Sequence, residues 1–377
     1  MTVGGWTQTA LADQPSNDYS TISDVMHPTA TAGNGYRSRP LLIPEPFDES
    51  GSAADLNKEQ TAMRAVGFSQ FGGPEVMKVI SLPEPIPGPG EVRIRVAAAD
   101  INPSDALARS GRLVETGPKR FPLSESYVVG WNVAGVIDSV GSINGSNLRV
   151  GDSVIALVLP RLTAGAQAEY VVAPVDQVVL APQNMSLVEA STLLLNAYSA
   201  WLALDRLSLS KGDSVLVTGG AGAVGSYVIE LAKADGLVVI ADAAPKDRDL
   251  VADSGADIVL PRGDGLVQAV LDQVGQVGGV VDTALVGASL STAVRDGGTI
   301  FTLQPPPEPE TARVKYEFED IYFHVPNSGR ILQHLRGLAE EDVLTPRVAD
   351  IYLPQQIVEA HERLSKGNLR GRLVLAF

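Results

Sequence analysis

The stretch SVLVTGGAGAVG, residues 214–225, decides the fold, because in it an apolar strand runs straight into a glycine-rich turn. Val215, Leu216 and Val217 show no polar face, the pattern of a parallel strand covered on both sides. Thr218, Gly219, Gly220, Ala221, Gly222, Ala223, Val224 and Gly225 make the turn. SYVIELAKADG (226–236) then continues with helical spacing to a stop signal at Gly236. The Gly220–Gly222–Gly225 spacing lets backbone N–H groups approach a pyrophosphate closely, and the N-terminus of the following helix favours its negative charge. Set between a strand and a helix, these eight residues predict a dinucleotide site.

The next segment extends that reading. LVVIAD (237–242) is a second apolar strand, and it ends in Asp242, 22 positions after Gly220. A carboxylate there can accept hydrogen bonds from the adenosine ribose hydroxyls, which favours NADH. Lys246 and Arg248 follow closely enough to neutralise a 2′-phosphate, which favours NADPH; as plain solvated loop charges they favour neither. Both coenzymes therefore stay open.

The composition narrows the class. The chain has 377 residues, 45% of them apolar, enough for two domains with cores of their own. No run approaches 18 apolar residues, and the N-terminus lacks the basic start and apolar core of a secretory leader. Cysteine is absent, which excludes disulfides, thiolate metal sites and a cysteine nucleophile, and is compatible with a reducing cytoplasm. A net charge of −15 argues against nucleic acid or an anionic membrane as partner. Residues 1–62 hold eight acids and three bases among Ser, Thr, Pro, Gly and Asn, and read as a disordered extension. Its one apolar patch is RPLLIPEPF (39–47).

From Met63 to about Ala181 short β-branched segments alternate with turn residues, so this part is β-rich. LVEASTLLLNAYSAWLALDRL (187–207) is helical, with a break expected near Asn196. Strands and helices then alternate up to the linker PPPEPE (305–310), which means βαβ units and a parallel sheet. Two more helical segments and the strand GRLVLAF close the chain.

Taken in order, EVRIRVAAADINPSDALARSG, GWNVAGVIDSVG, LRVGDSVIAL, QAEYVV, VTGGAGAVGSYVIELAK and VRDGGTIFTL, with the ending AHERLSKGNLRGRLVLAF, resemble a zinc-independent medium-chain dehydrogenase/reductase of the quinone oxidoreductase (zeta-crystallin-like) type. The resemblance covers residues 63–377 and leaves the extension aside. It implies an α/β protein with a GroES-like β-rich catalytic domain (63–186) and a Rossmann coenzyme domain with a doubly wound parallel sheet (187–310). Residues 311–377 would return to the catalytic domain, and the active site would lie in the cleft between the two. It also implies a homodimer or homotetramer acting on a small molecule.

Zinc-dependent relatives place a cysteine where Asn102 stands in Asn102-Pro103-Ser104-Asp105, and Gly-His-Glu where this chain has Gly130-Trp131-Asn132. Both ligand positions therefore lack ligand types, and no zinc is expected. The implied chemistry is NADPH- or NADH-dependent hydride transfer to a quinone or to the C=C bond of an α,β-unsaturated carbonyl. Asn102 and Ser104 are the candidate catalytic groups; their other reading, shared by Asp105, is a loop fixed by side-chain-to-backbone hydrogen bonds. Leu107 and Leu113 stand where quinone reductase relatives often carry tyrosines. Ser199 matches a hydroxyl position near the nicotinamide, Trp131 either lines the cleft or packs, and His324 either reaches the cleft or is structural.

Two other functions are compatible with these residues. An enoyl-thioester reductase of a fatty-acid or polyketide pathway would use Arg109, Arg112, Lys119 and Arg120 as a basic patch for a carrier. A catalytically silent coenzyme-binding protein would account for the missing tyrosines and the long tail.

Overall fold

A computed structural model describes residues 61–117, 121–143, 145–306 and 313–377. The chain divides into residues 1–58 and a body of residues 59–377, to which all the described residues belong. Residues 1–60 of the expected disordered extension, with the 39–47 patch, and Lys119 and Arg120 lie outside the described residues, whereas Ala62, placed in that extension, already opens the first strand.

The body begins with β1 (Ala62–Phe68), β2 (Lys78–Pro83), β3 (Glu91–Ile101), α1 (Pro103–Arg109), α2 (Arg112–Thr116) and β4 (Tyr127–Val128). β5 (Asn132–Val140), β6 (Ser153–Leu157), β7 (Tyr170–Pro174) and β8 (Val178–Leu180) complete its β-rich part. Then α3 (Leu187–Ala190) and α4 (Leu194–Leu207) lead into β9 (Ser214–Thr218), α5 (Ala223–Ala234), β10 (Val238–Ala243), α6 (Arg248–Asp253), β11 (Ile258–Pro261), α7 (Leu266–Val274), β12 (Val277–Asp282), β13 (Val294–Thr302) and β14 (Lys315–Glu317). The chain ends with α8 (Gly329–Glu340), β15 (Val348–Tyr352), α9 (Ile357–Ser365) and β16 (Arg372–Ala376). No helix among the described residues is long and apolar enough to cross a membrane.

β9 is the centre of a six-stranded sheet of order β11-β10-β9-β12-β13-β14, in which every pairing is parallel. The strand order reverses beside β9, the switch point at which open α/β sheets bind ligands. Successive side chains of β9 serve opposite faces. Val215 and Val217 pack with α4, α5 and α8 residues, and Leu216 packs with Leu266 and Val270 of α7. An all-apolar run is what such a doubly covered strand requires.

The β-rich lobe holds a seven-stranded sheet of order β15-β16-β3-β5-β6-β8, with β7 also on β3, and a smaller sheet β2-β1-β4. β16 pairs antiparallel with the end of β3, so the last strand closes the lobe that the first strands began. The return begins later than residue 311. β14 pairs in parallel with β13, and Leu332, Leu335, Ala339 and Leu344 pack into the core with α4 and α5. α8 lies against β8 of the β-rich lobe as well as against α4, and the chain rejoins that lobe's sheet at β15. The proline linker had marked an exit, but a strand of three residues is too short to show a period of two.

The helix break also falls earlier than Asn196, at residues 191–193. There the Ser191 and Thr192 hydroxyls donate to the carbonyls of Val188 and Glu189, and the N–H of Thr192 bonds the carbonyl three residues back. Such hydroxyls compete with the helical ladder. Asn196 sits inside α4, where its amide donates to the Thr192 carbonyl.

One buried group on α9 gives the lobe a pH dependence. His361 is fully buried with neither ring nitrogen hydrogen-bonded, and burial, with Arg109 nearby, pushes its pKa from 6.5 down to about 4. The unfolded chain takes up this proton first, so the contribution to stability is complete above about 6.5 and is lost as pH falls toward 4. Denaturant unfolding between pH 7 and pH 4 should show His361→Leu losing less stability than wild type, by up to about 3 kcal/mol. Equal losses would show that His361 is not the group responsible.

Candidate functional site

The cleft opens where β9 ends. Its floor is Gly219 and Ala221–Gly225; one wall carries Asp242, Ala243, Ala244, Asp247 and Arg262, and the facing wall carries Asn368, Leu369, Arg370 and Arg372 with Pro103. Thr283, Ala284 and Leu303 complete it, and the groove measures about 830 Å³ counted to its open mouth. Residues from the β-rich lobe (Pro103 and the loop before β16) thus face the glycine turn across it.

Two glycines explain why the turn has this sequence. Gly219 adopts φ +70°, the left-handed region, and a Cβ there would lie 2.6 Å from the Thr283 hydroxyl. At Gly225 a Cβ would lie 2.3 Å from the Gly219 carbonyl oxygen, so the first turn of α5 can press against the end of β9 only without a side chain. The first N–H groups of this 12-residue helix have no partner inside it, and Ala223, Val224 and Gly225 line the cleft. Free N–H groups at the positive end of a helix fit a pyrophosphate. A dinucleotide coenzyme is therefore matched by the residues present.

Other members of the turn serve it from behind. Thr218 is fully buried; its hydroxyl donates to Asp282 Oδ1 at 2.6 Å and accepts the Ala284 N–H at 3.1 Å. Gly220 is wedged among Ile229, Ala241 and Val251, so it sets helix–strand packing. Asp282 also accepts the N–H groups of Val286 and Gly287, and so anchors the loop that brings Thr283 and Ala284 to the cleft.

Asp242 lies in the cleft wall but is largely occupied. Its Oδ1 accepts the Gly219 N–H at 2.5 Å, and its Oδ2 accepts Arg262 Nε at 3.1 Å. Lys246 and Arg248, expected beside a 2′-phosphate, are exposed and do not line this cleft. The cations that do are Arg262, Arg370 and Arg372. Arg370 grips Asp247 with Nε at 2.8 Å from Oδ1 and with Nη2 on Oδ2. Sequence reasoning missed all three arginines, although the parallel register that sets Asp242 beside Leu260 brings Arg262 near. Nothing local announces Arg370, whose bond to Asp247 spans 123 residues of chain.

The loop around Asn102 is built mainly on structural hydrogen bonds. Asn102 caps α1 and is buried; the Asp105 carboxylate accepts its N–H at 2.9 Å, the Gly130 N–H at 3.1 Å and Gln167 Nε2 at 3.2 Å. Pro103 faces the cleft, whereas the Ser104 hydroxyl is buried without a partner. Burial pushes the Asp105 carboxyl up to about 7 and the Asp100 carboxyl to about 6, the latter opposed by Arg372. Asn132 donates to Asp100 at 2.7 Å and accepts the Leu195 N–H at 2.9 Å, tying the loop to α4. Arg372 Nε donates to Asn196 Oδ1 at 3.0 Å.

The remaining candidates are placed elsewhere. The Ser199 hydroxyl donates to the Leu195 carbonyl within α4 and is absent from the cleft lining. Trp131 is buried in the core that α4 shares with β9. His324 bonds Glu319 at 3.1 Å and meets the Tyr198 ring edge-on. Of the proposed basic patch, Arg109 is buried with its guanidinium on the Gly72 carbonyl, and Arg112 is exposed. Among the described residues no group of three or more His, Cys, Asp and Glu side chains could hold a metal ion.

Comparison with known proteins agrees with this architecture. Residues 88–183 match the alcohol dehydrogenase GroES-like domain, and residues 248–375 match the family described as zinc-binding dehydrogenase. The chain is 30% identical to the 2-methylene-furan-3-one reductase of Solanum lycopersicum, covering 83% of this chain and 79% of that protein. It is also 30% identical to the chloroplastic NADPH-dependent alkenal/one oxidoreductase of Arabidopsis thaliana, over 85% and 81% of the two chains. The solved quinone oxidoreductase of Coxiella burnetii superposes with a TM-score of 0.70 at 28% identity, over 84% of this chain and all of that one. With its GroES-like lobe, its Rossmann lobe and these relatives, the chain belongs to the medium-chain dehydrogenase/reductase superfamily, and within it to the quinone oxidoreductase type.

Proposed function

We propose that this protein reduces a quinone or the C=C bond of an α,β-unsaturated carbonyl, using NADPH and no metal. The observation that carries the reading is the use made of positions 102, 131 and 132. Asn102 stands at the N-cap position of α1 with its backbone N–H on Asp105, Trp131 packs in the core, and Asn132 bridges Asp100 and the Leu195 N–H. Trp131 and Asn132 are committed to structure, the Asn102 side chain is buried without a hydrogen-bond partner, and none of the three is a good zinc ligand. A quinone or enone activates its own accepting carbon by conjugation, so it needs no Lewis acid. The names of the relatives point the same way.

Bound in the cleft, the nicotinamide coenzyme supplies the hydride. The chain's own residues do the rest. The start of α5 holds the pyrophosphate, while Pro103, Leu303 and Leu369 give the cleft apolar surface that excludes water. At the adenosine end, Asp242 already accepts two donors, and Arg262 bonds it through Nε alone, leaving its Nη groups for another anion. Two guanidinium groups and an occupied carboxylate suit a 2′-phosphate better than a bare ribose, which is the basis for NADPH.

The test is coenzyme oxidation followed by stopped-flow absorbance with quinones, enones and an enoyl thioester, with and without a chelator. Turnover of a quinone or enone is expected, NADPH preferred over NADH by about tenfold or more and the rate unchanged by the chelator. Turnover of the thioester alone would favour the carrier-dependent reductase. Coenzyme binding without turnover of any acceptor would make the protein a silent binder.

A further inference from the structure

Both arginines at the adenosine end of the cleft already have carboxylate partners, but the two pairs differ. Arg262 meets Asp242 through Nε alone and is half exposed, so most of its donors remain available. Arg370 presents the two-pronged face of its guanidinium, Nε and Nη2, to the two oxygens of Asp247. Its Nη1 is turned back onto the carbonyl and the side-chain oxygen of Asn368. A guanidinium has five N–H donors, and here the fork that would grip a phosphate is filled by a carboxylate. Asp247 is itself buried, and Arg370 holds its carboxyl below the ordinary carboxylate range, so it is ionised at neutral pH.

We propose that Asp247 is a specificity-determining residue that competes with the coenzyme 2′-phosphate for Arg370. This rests on the NADPH reading given above. Asp247 belongs to the short turn after β10 (residues 245–247), and Arg370 belongs to the loop that precedes β16 on the opposite wall. The loop is shaped by its own backbone: Gly367, Asn368 and Gly371 have φ of 60°, 58° and 128°. With Nη1 also held by Asn368, Arg370 keeps its place when its carboxylate partner is removed. Asp247 therefore weakens phosphate binding in two ways: it occupies the fork, and its negative charge opposes the incoming phosphate. A coenzyme lacking the 2′-phosphate meets neither obstacle, so Asp247 narrows the gap between NADPH and NADH.

Isothermal titration of the full chain with 2′,5′-ADP and with 5′-AMP separates these effects from turnover. The variants are Asp247→Asn, Asp247→Ser as a second probe should the first fold poorly, Arg370→Met, and Arg370→Met combined with Asp247→Asn. Removing one unit charge close to the phosphate should tighten 2′,5′-ADP by about tenfold and leave 5′-AMP within about twofold. In the Arg370→Met background that gain should disappear. A wild type that prefers 2′,5′-ADP, with a ratio that Asp247→Asn leaves unchanged or lowers, would overturn the proposal alone. A wild type indifferent to the 2′-phosphate would instead sink the NADPH reading. In that case a preference created by Asp247→Asn would still support the competition, and none would end it.

Discussion

Gly225→Ala is expected to unfold the turn and the site together. The new Cβ would lie 2.3 Å from the Gly219 carbonyl oxygen and 2.8 Å from its carbon, both backbone atoms that no rotamer change can move. Either α5 shifts away from β9 or the turn distorts, at a cost of roughly 3 kcal/mol of stability. The same shift moves the N–H groups at the start of α5 away from the pyrophosphate, and coenzyme affinity should fall by about a hundredfold or more, the loss of two charge-assisted hydrogen bonds. Gly222→Ala is the informative companion. Its Cβ would meet only the Gly219 oxygen, at 3.2 Å, and its φ of −79° suits any residue. Its stability should stay close to that of wild type while the methyl group intrudes on the cleft. Thermal melts and coenzyme titration of both variants check this pair of outcomes, and equal stability of the two would contradict the contact at Gly225.

The second large effect is expected at Asp282, which lies outside the glycine motif. Its buried carboxylate accepts the Thr218 hydroxyl at 2.6 Å, the Val286 N–H at 3.0 Å and the Gly287 N–H at 2.9 Å. It holds a loop in which Leu285 (φ 57°) and Gly287 (φ 89°) are both left-handed, so the bonds to the carboxylate offset backbone strain at Leu285. Asp282→Ala leaves three donors without their acceptor and should cost about 3 kcal/mol, which lowers the melting temperature by roughly 5–10 °C. Thr283 and Ala284 line the cleft, so coenzyme affinity should weaken too, by about tenfold. Asp282→Asn keeps one carbonyl acceptor and should fall between the two. A melting temperature unchanged in Asp282→Ala would mean that the loop is held by other contacts.

What could be read along the chain was local. The strand-to-helix passage at 214–225 shows its apolar run, glycine spacing and helical continuation within a dozen consecutive residues, so the coenzyme lobe was legible. The break before α4 was placed too late because hydroxyls at Ser191 and Thr192 bond backward to carbonyls, a geometry that apolar periodicity does not report. Thr218 and Gly220 belong to the motif by position, yet their contacts lie behind the cleft.

The amino-acid sequence by itself determined the two-lobed class, the parallel sheet and the phosphate-facing turn, because each follows from residues close together in the chain. Only the tertiary structure decided which charges line the cleft. Lys246 and Arg248 are near Asp242 in sequence but are exposed and outside the cleft lining, while Arg262 arrives from the end of the next strand and Arg370 and Arg372 from the far end of the chain. Charge recognition depends on distance in space, and strand order and the return of β16 to β3 set those distances.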